Sequence, residues 1–260
     1  RMVRFHHRPP MQVITAQLIS GRKVLLRYDI DVPLRQAQGH GQPEVEDDFR
    51  LKSGLATLKL CLENAQQVIL MGHVGRPESP DPNFSVKPIY DWLVEHDLHS
   101  HMESGKLKLL ENLRFEPGED GCNLEYAKEI LNLVEDDTVI SEKAEIVYIN
   151  EAFAAYHKAS STTVLPTLLP HAAGLRFAME VKTLTEVRNS PKKPFVALIG
   201  GVKMGDKLEA IQVLAEKASA VLVGGKLIAE IREQKINLPA NVLVGKLKDD
   251  GFDIAPETAE

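Results

Sequence analysis

The sequence contains few of the residues that build cross-linked, membrane-spanning or nucleic-acid-binding proteins. Its two cysteines, Cys61 and Cys122, lie far apart and form no CxxC pair, which excludes a disulfide scaffold and a cysteine-based zinc site. No apolar run approaches the roughly 20 residues that a membrane-spanning helix needs, so we expect no such helix. The 31 basic residues are outnumbered by 37 acidic ones, and the net charge of -6 argues against a general nucleic-acid binder.

Composition and the first residues favour a soluble globular protein of a reducing, cytosolic compartment. Apolar residues make up 43% and charged residues 26% of the 260 positions, a balance typical of folded domains. The opening RMVRFHHRPP carries charge and two prolines but lacks the apolar core of a signal peptide. We expect Met11 to be the natural start and residues 1–10 to be a non-native extension.

Short apolar, β-branched runs recur along the chain and predict a parallel α/β architecture. Most of them are nearly continuous rather than alternating, which is typical of strands buried on both faces of a sheet. The runs are KVLLRYDIDV (23–32), QVILMGHV (67–74), KLKLLENL (106–113), EIVYINEAF (145–153), FVALIGG (195–201), AVLVGG (220–225) and NVLVG (241–245).

Segments of helical periodicity lie between these runs. Residues 50–64 and 206–218 each place their apolar side chains on one face, and Asp206 can cap the second segment. A longer helix is predicted over 174–190, where two prolines follow and stop it. Polar stretches at 35–46 and 77–88 are predicted to be surface loops.

The alternation of strands and helices predicts an α/β chain with right-handed crossovers and two parallel sheets, one before and one after the long helix. We place the first domain at residues 11–173, the connecting helix at 174–190 and the second domain at 191–260.

Polar residues follow the runs, at the edge of a parallel sheet where ligands bind. Asp29 and Asp31 end the first run, and Arg50 opens the next helix on the same side. The later runs of the first domain are followed by His73, Arg76, Arg114 and Lys158. Because guanidinium groups bind phosphate and carboxylate through two parallel hydrogen bonds, this cluster predicts a small, highly anionic ligand.

The second domain offers glycines and two lysines, Lys203 and Lys207, at the start of a helix. Backbone N–H groups and the positive end of the helix dipole favour phosphate there. The stretch is not a Walker A loop, since Asp206 rather than Lys follows Gly205, and no G-x-G-x-x-G pattern is present. Two different anion sites in two domains indicate phosphoryl transfer, which depends on positioning and charge stabilisation.

Six blocks, in this order, resemble the phosphoglycerate kinase family, and the resemblance covers nearly everything from about Gly21 onward. The blocks read KVLLRYDIDVPL, DDFRLKSGLATLKLCLENAQQVILMGHVGRP, LLENLRFEPGE, VYINEAFAAYHKASSTTV, LPHAAG and PFVALIGGVKMGDKLEAI. The resemblance implies two Rossmann-like parallel-sheet domains joined by a helix. It implies a glycolytic enzyme that transfers a phosphoryl group between 1,3-bisphosphoglycerate and ADP, giving 3-phosphoglycerate and ATP. It implies a cytoplasmic monomer that binds neither nucleic acid nor membrane, with Mg²⁺ carried by the nucleotide.

The resemblance also implies a role for each matching residue. Arg50 and Lys203 would be the catalytic residues, acting on the transferring group. The implied triose-phosphate ligands are Asp29, Asp31, Arg50, His73, Arg76, Arg114 and Lys158. The implied nucleotide ligands are Lys203, Lys207, Gly224 and Gly225.

The sequence departs from the family pattern at several positions. Asp31 stands where the family usually has Asn, Lys158 where it usually has Arg, and Lys226 where it usually has a third glycine. The final FDIAPETAE resembles a block from the middle of a domain. The resemblance therefore implies an incomplete second domain, in which the protein ligands for the metal and the ribose are missing because the chain is a fragment or a natural truncation.

Other interpretations stay open. Asp29 and Asp31 are also compatible with a simple turn, and so are Gly224 and Gly225. Lys203 and Lys207 are also compatible with a solvated helix face. His96, His99 and His101 have no acidic partners at ligand spacing, so we expect no metal site there. Instead of an enzyme, the chain is compatible with a catalytically impaired module that binds 3-phosphoglycerate, or with a non-functional fragment whose second sheet is partly uncovered.

Overall fold

The computed structural model describes residues 11–35, 43–135, 145–201, 205, 207–246 and 248. The chain divides into two compact units, one up to Val181 and one from Lys182 onward. The extension predicted at residues 1–10 lies outside the described residues.

The elements alternate along the chain as the sequence predicts. The described strands are β1 (Lys23–Arg27), β2 (Leu34–Arg35), β3 (Glu44–Val45), β4 (Gln67–Met71), β5 (Leu107–Leu109), β6 (Ile146–Asn150), β7 (His171–Ala173), β8 (Val196–Ile199), β9 (Ala220–Val223) and β10 (Val242–Val244). The described α-helices are α1 (Ala16–Ile19), α2 (Phe49–Asn64), α3 (Lys87–Leu93), α4 (His99–Glu103), α5 (Leu124–Glu135), α6 (Leu165–Leu168), α7 (Leu175–Asn189), α8 (Leu208–Ala215) and α9 (Leu227–Glu233).

A parallel sheet in the order β5-β4-β1-β6-β7 forms the first unit. Its centre is β1, where Lys23 lies in register with both Gln67 and Ile146. From β1 the chain moves to β4 and β5 on one side and later to β6 and β7 on the other. Such a reversal of winding opens a crevice beyond the carboxyl ends of the strands.

Both faces of this sheet are covered, which explains its continuous apolar runs. All five residues of β1 are buried, because alternate side chains enter different cores. Leu26 packs in a core with Leu58 of α2 and Trp92 of α3, whereas Leu25 packs in a second core with Ile130 of α5.

Helix α2 approaches the end of β1 closely at Gly54. Tyr28 follows β1 directly, and a Cβ at Gly54 would lie 2.5 to 2.7 Å from atoms of its ring and hydroxyl. The Tyr28 hydroxyl donates to the carbonyl of Leu51 at 2.5 Å. The absence of a side chain at Gly54 therefore sets how near the start of α2, including Arg50, comes to the edge of the sheet.

A smaller parallel sheet in the order β10-β9-β8 belongs to the second unit. One face packs in a core with Ile211 of α8 and Leu227 of α9. On the opposite face, side chains remain exposed by 52% at Val196, 79% at Leu198, 37% at Leu222 and 54% at Leu243.

The α/β prediction with parallel sheets is confirmed, and the helix predicted at 174–190 is α7. The strands end earlier than the apolar runs, because polar residues at the ends of the runs leave the sheet for its edge. The prediction of a plain loop over 35–46 is wrong at its ends, where β2 and β3 pair antiparallel. The strand β7 was not predicted, since three residues are too few to show a periodicity.

Candidate functional site

Five of the residues proposed from the sequence meet at the carboxyl edge of the first sheet. Asp29 and Asp31 follow β1, His73 follows the neighbouring β4, Arg50 lies in the first turn of α2 and Arg114 follows β5. They come together because the carboxyl ends of parallel strands lie along one edge.

Arg50 contacts both aspartates. Its Nη1 donates to the main-chain carbonyl of Asp31 at 2.8 Å, and it lies 3.5 Å from Oδ1 of Asp29 and 3.9 Å from Oδ2 of Asp31. Its side chain is still 44% exposed, so the guanidinium remains accessible to a ligand. The structure thus shows cations interleaved with carboxylates, where the sequence led us to expect a ring of cations.

His73 is held from two sides. Its Nε2 lies 3.7 Å from Oδ2 of Asp31, and its Nδ1 lies 2.6 Å from Nη2 of Arg27. Arg27 is the last residue of β1 and is only 1% exposed. It also donates from Nε to the Ser161 hydroxyl at 3.0 Å and from Nη1 to the Tyr28 carbonyl at 2.8 Å.

Arg114 joins the same set through Gly75. Its Nη1 donates to the carbonyl of Gly75 at 2.7 Å, and its Nε donates to Asp120 at 3.4 Å. The N–H of Gly75 donates to Oδ1 of Asp31 at 2.8 Å. Gly75 has a φ of +61°, and a Cβ at this position would collide with the ring of Phe84, so glycine is required at this turn.

A small cleft lies beside these residues. Its titratable lining comprises Arg27, His73, Arg114, Glu119 and Asp120. Its volume of about 10 Å³ has room for only about one water, so a phosphate would approach the donors of His73 and Arg114 from the open side of the cleft.

Arg76 and Lys158 differ from the other proposed ligands. Both are exposed, and neither side chain makes a hydrogen bond or ion pair with another residue in the described part of the chain. Arg76 directly follows Gly75, and Lys158 directly follows His157, which lines the cleft.

Burial and neighbouring donors shift the pKa values of the two aspartates in opposite directions. Burial raises the pKa of Asp29 above its ordinary value, and Arg50 and Arg27 only partly oppose it. Burial acts the same way on Asp31, but the nearby imidazole and the N–H of Gly75 outweigh it and bring its pKa below the ordinary value. Asp31 is therefore ionised at neutral pH.

Burial is the largest cause that lowers the pKa of His73. The positive charges of Arg27 and Arg114 act in the same direction, whereas Asp31 opposes them. His73 is therefore neutral at neutral pH, and which of its ring nitrogens carries the proton decides whether it donates or accepts.

A cavity of about 160 Å³ is lined in part by Arg50 and by Glu151, a residue that follows β6 and is 3% exposed. Oε1 of Glu151 accepts from the Thr57 hydroxyl at 2.9 Å and from the N–H of Arg176 at 3.1 Å. Its Oε2 accepts from the N–H of Phe177 at 3.3 Å. Glu151 therefore binds the first N–H groups of α7, and burial raises its pKa to about 7.

The second unit brings glycine backbone together after β8 and β9. A Cβ at Gly225, whose φ is +65°, would lie 3.6 Å from the carbonyl oxygen of Gly201, and Gly224 donates its N–H to the last residue of β8 at 2.9 Å. The chain of Lys207 passes 3.6 Å from the place of a Cβ at Gly201. Lys203 lies outside the described residues. The described part of this unit therefore brings glycine backbone and one exposed lysine close together.

Sequence reasoning missed the buried polar residues Arg27, Glu119, Ser161 and Glu151. Arg27 was detectable, because it is a basic residue in the middle of the apolar run KVLLRYDIDV. Glu119 and Ser161 are 42 positions apart and show no local pattern that links them.

Two features are absent from the described residues. These residues contain no group of three or more His, Cys, Asp or Glu side chains that could hold a metal ion. In the same part of the chain, no helix has the length and apolar character that crossing a membrane requires.

The chain is similar to known phosphoglycerate kinases in sequence. The family model for phosphoglycerate kinase matches residues 14–257. The phosphoglycerate kinases of Fervidobacterium nodosum and Thermosipho africanus are each 30% identical over 261 residues, which cover 93% of this chain and 60% of each relative. The chain thus spans about 60% of the length of these relatives.

Solved structures show the same fold. The phosphoglycerate kinase from Coxiella burnetii superposes with a TM-score of 0.68 at 24% identity, over 90% of this chain and 60% of that one. The enzyme from Pyrococcus horikoshii gives a TM-score of 0.65 at 21% identity, over 84% and 56%. Since the family model matches nearly the whole sequence and the fold agrees, this chain belongs to the phosphoglycerate kinase family.

Proposed function

We propose that the chain acts in reversible phosphoryl transfer between 1,3-bisphosphoglycerate with ADP and 3-phosphoglycerate with ATP, a step of glycolysis. One observation carries the proposal: Asp29, Asp31, Arg50, His73 and Arg114 form a connected set at the sheet edge of a chain that belongs to this family.

The set offers complementary groups to 3-phosphoglycerate, which carries a carboxylate, a hydroxyl and a phosphate. His73 and Arg114 donate to the phosphate, and the exposed Arg76 and Lys158 reach it on binding. Asp29 and Asp31 accept from the hydroxyl.

Arg50 binds at the carboxyl end and stabilises the charge of the transferring group. Such stabilisation, together with positioning, supplies most of the catalysis in phosphoryl transfer. No covalent intermediate with the protein is required.

The nucleotide phosphates bind the glycine backbone near Gly201 and Gly225, with Lys207 as a cation beside it. The residues present fit this group, because glycines leave the backbone open where the two loops adjoin. Mg²⁺ carried by the nucleotide neutralises phosphate charge when bound. Lys203, Gly224 and Lys207 complete the proposed nucleotide ligands, with Lys203 acting on the transferring group.

A second candidate is a module that binds 3-phosphoglycerate without turnover. It is favoured by the location of the connected set entirely in the first unit. For either candidate, we place the protein in the cytosol as a monomer, a location supported by two distant cysteines that form no disulfide framework.

Calorimetric titration with 3-phosphoglycerate and ATP, followed by a coupled turnover assay, tests the proposal. Heat with both ligands and measurable turnover support the kinase, and heat with 3-phosphoglycerate alone supports the module. Absence of heat with 3-phosphoglycerate contradicts both. Arg50→Ala should reduce turnover, whereas Lys59→Ala, which removes an exposed cation of the same helix, serves as the control.

A further inference from the structure

Arg27 is a charged side chain buried next to a neutral histidine. Burial of a charge is costly unless hydrogen bonds and opposite charges compensate it. Burial lowers the pKa of Arg27, and the nearby negative charge of Glu119 is the first of the opposing effects. Because a guanidinium stays protonated in proteins and has no acceptor, Arg27 can only donate.

The donor and the acceptor can be assigned in each hydrogen bond that joins Arg27, Ser161 and Glu119. Glu119 is 1% exposed, and its Oε1 accepts from the Ser161 hydroxyl at 2.5 Å while its Oε2 accepts from the Ser161 N–H at 3.0 Å. The Ser161 hydroxyl has given its single proton to Glu119, so its oxygen is left to accept from Nε of Arg27 at 3.0 Å. The buried carboxylate thus orients the serine, and the serine orients the arginine.

The donor and the acceptor can also be assigned in the contact between Arg27 and His73. Nη1 of Arg27 donates to the carbonyl of Tyr28 at 2.8 Å, which fixes the plane of the guanidinium. Nη2 lies 2.6 Å from Nδ1 of His73, and this contact requires Nδ1 to be the acceptor. The ring proton is then on Nε2, the nitrogen that lies 3.7 Å from Oδ2 of Asp31.

We propose that Arg27, anchored by Ser161 and Glu119, is a positioning residue that holds His73 in the tautomer protonated on Nε2, so that the ring presents a hydrogen-bond donor to an anionic ligand at the open side of the cleft. The nature of that ligand rests on the proposed function, whereas the tautomer itself does not. A neutral imidazole protonated on Nδ1 would instead point a lone pair at the ligand oxygen.

The charged groups around His73 agree with this assignment. Asp31 faces Nε2, with its Oδ2 at 3.7 Å, a distance longer than a hydrogen bond. Arg114 and Asp120 line the same cleft with His157, and Arg114 adds a positive charge that favours the neutral ring. The donor on Nε2 is thus available to an anion in the complex.

Nitrogen NMR of the histidine rings in the full chain tests the proposal at a pH near 8, where imidazoles are mostly neutral. We expect Nδ1 of His73 to resonate as an unprotonated nitrogen and Nε2 as a protonated one. His96 is an internal reference, because its Nδ1 lies 2.8 Å from the carbonyl of Trp92 and must donate to it. The resonances are assigned by their loss in His73→Gln and His96→Gln.

Two substitutions at position 27 decide the role. In Arg27→Met the resonances of the two His73 nitrogens should move toward each other as both tautomers become populated, and 3-phosphoglycerate affinity should fall roughly tenfold. Arg27→Lys keeps a side chain that can only donate hydrogen bonds, and it should restore part of the native pattern of the His73 nitrogen resonances. A native His73 protonated on Nδ1, or an unchanged His73 pattern in Arg27→Met, overturns the proposal.

Ser161→Ala keeps the test decisive if Arg27→Met fails to fold by circular dichroism. It removes the hydroxyl acceptor that orients Arg27, and we expect the same change in the His73 resonances with a smaller amplitude. Unchanged His73 resonances would overturn the proposal that Ser161 anchors Arg27. The positioning role and the proposed function can fail separately. If His73 has the Nε2 tautomer in the native chain and loses it in Arg27→Met, the positioning role is supported. If the same native chain binds no 3-phosphoglycerate, the proposed function is contradicted.

Discussion

The two sheets of this chain have similar sequences of apolar runs but different surroundings. The first sheet is covered on both faces, and the buried charged side chains of the described residues, such as Arg27 and Glu151, all lie in its unit. The second sheet is covered on one face, and Leu198 on the other is 79% exposed. A continuous apolar run therefore indicates a parallel strand, but it does not establish that both faces of that strand are buried.

The largest contrast should appear in the cost of removing one leucine from each sheet. Leu26→Ala in β1 leaves a cavity in a closed core and should lower the free energy of unfolding by about 2–5 kcal/mol. Leu198→Ala in β8 should change it by less than about 0.5 kcal/mol, since the side chain is already in water. Urea unfolding followed by Trp92 fluorescence, which reports on the first unit, and by circular dichroism would measure both. Equal losses would mean that the outer face of β8 is covered in solution.

The buried carboxylate of Glu151 should make the stability of the first unit depend on pH. Glu151 has a pKa of about 7 in the folded chain and 4.5 as its ordinary value, so the folded state holds the proton more tightly. Stability should fall as pH rises from about 4.5 to about 7 and then level off, by on the order of 3 kcal/mol.

Thermal unfolding at pH 5 and pH 8 would measure this effect against Glu151→Gln, which cannot titrate. The native chain should lose more stability between the two pH values than the variant does. An identical loss in both would assign the pH dependence to other groups.

The two proposed anion sites should respond separately to the loss of one cation each. Arg114→Ala removes a guanidinium of the first unit and should weaken 3-phosphoglycerate binding by about 1.5–3 kcal/mol while ATP binding is kept. Lys207→Ala should weaken ATP binding and leave 3-phosphoglycerate binding unchanged. Calorimetric titration of each variant with each ligand measures both effects, and loss of both ligands in Lys207→Ala would contradict the assignment of one site to each unit.

The smallest expected effect comes from the carboxylate at position 31. Asp31→Asn removes a negative charge 3.7 Å from Nε2 of His73 and 3.9 Å from Nη1 of Arg50, and it keeps an acceptor for the N–H of Gly75. Because the side chain is partly exposed, we expect a gain in 3-phosphoglycerate affinity of only up to about 1 kcal/mol. A loss of affinity in the same titration would show that the charge itself helps to bind the ligand hydroxyl.

The sequence predicts the parts of the fold and site that follow from strand direction. Asp29, His73 and Arg114 were placed at one edge because each follows a buried run, and parallel strands align their carboxyl ends. The partners of these residues were not predictable, since the contact between Glu119 and Ser161 depends on packing between segments 42 positions apart. The apolar run of β8 led us to predict burial of both its faces, and this prediction is wrong. The alternative interpretation of the chain as a fragment predicted a partly uncovered second sheet.

Gly54 has a consequence for how sequence variants of this protein are interpreted. It has no side chain that could bind a ligand, yet a side chain there would press on Tyr28 and displace the first turn of α2 together with Arg50. A genetic screen for activity would therefore score position 54 alongside the ligand-binding residues. Measured defects in this chain should be traced to helix placement before a residue is assigned to the chemistry.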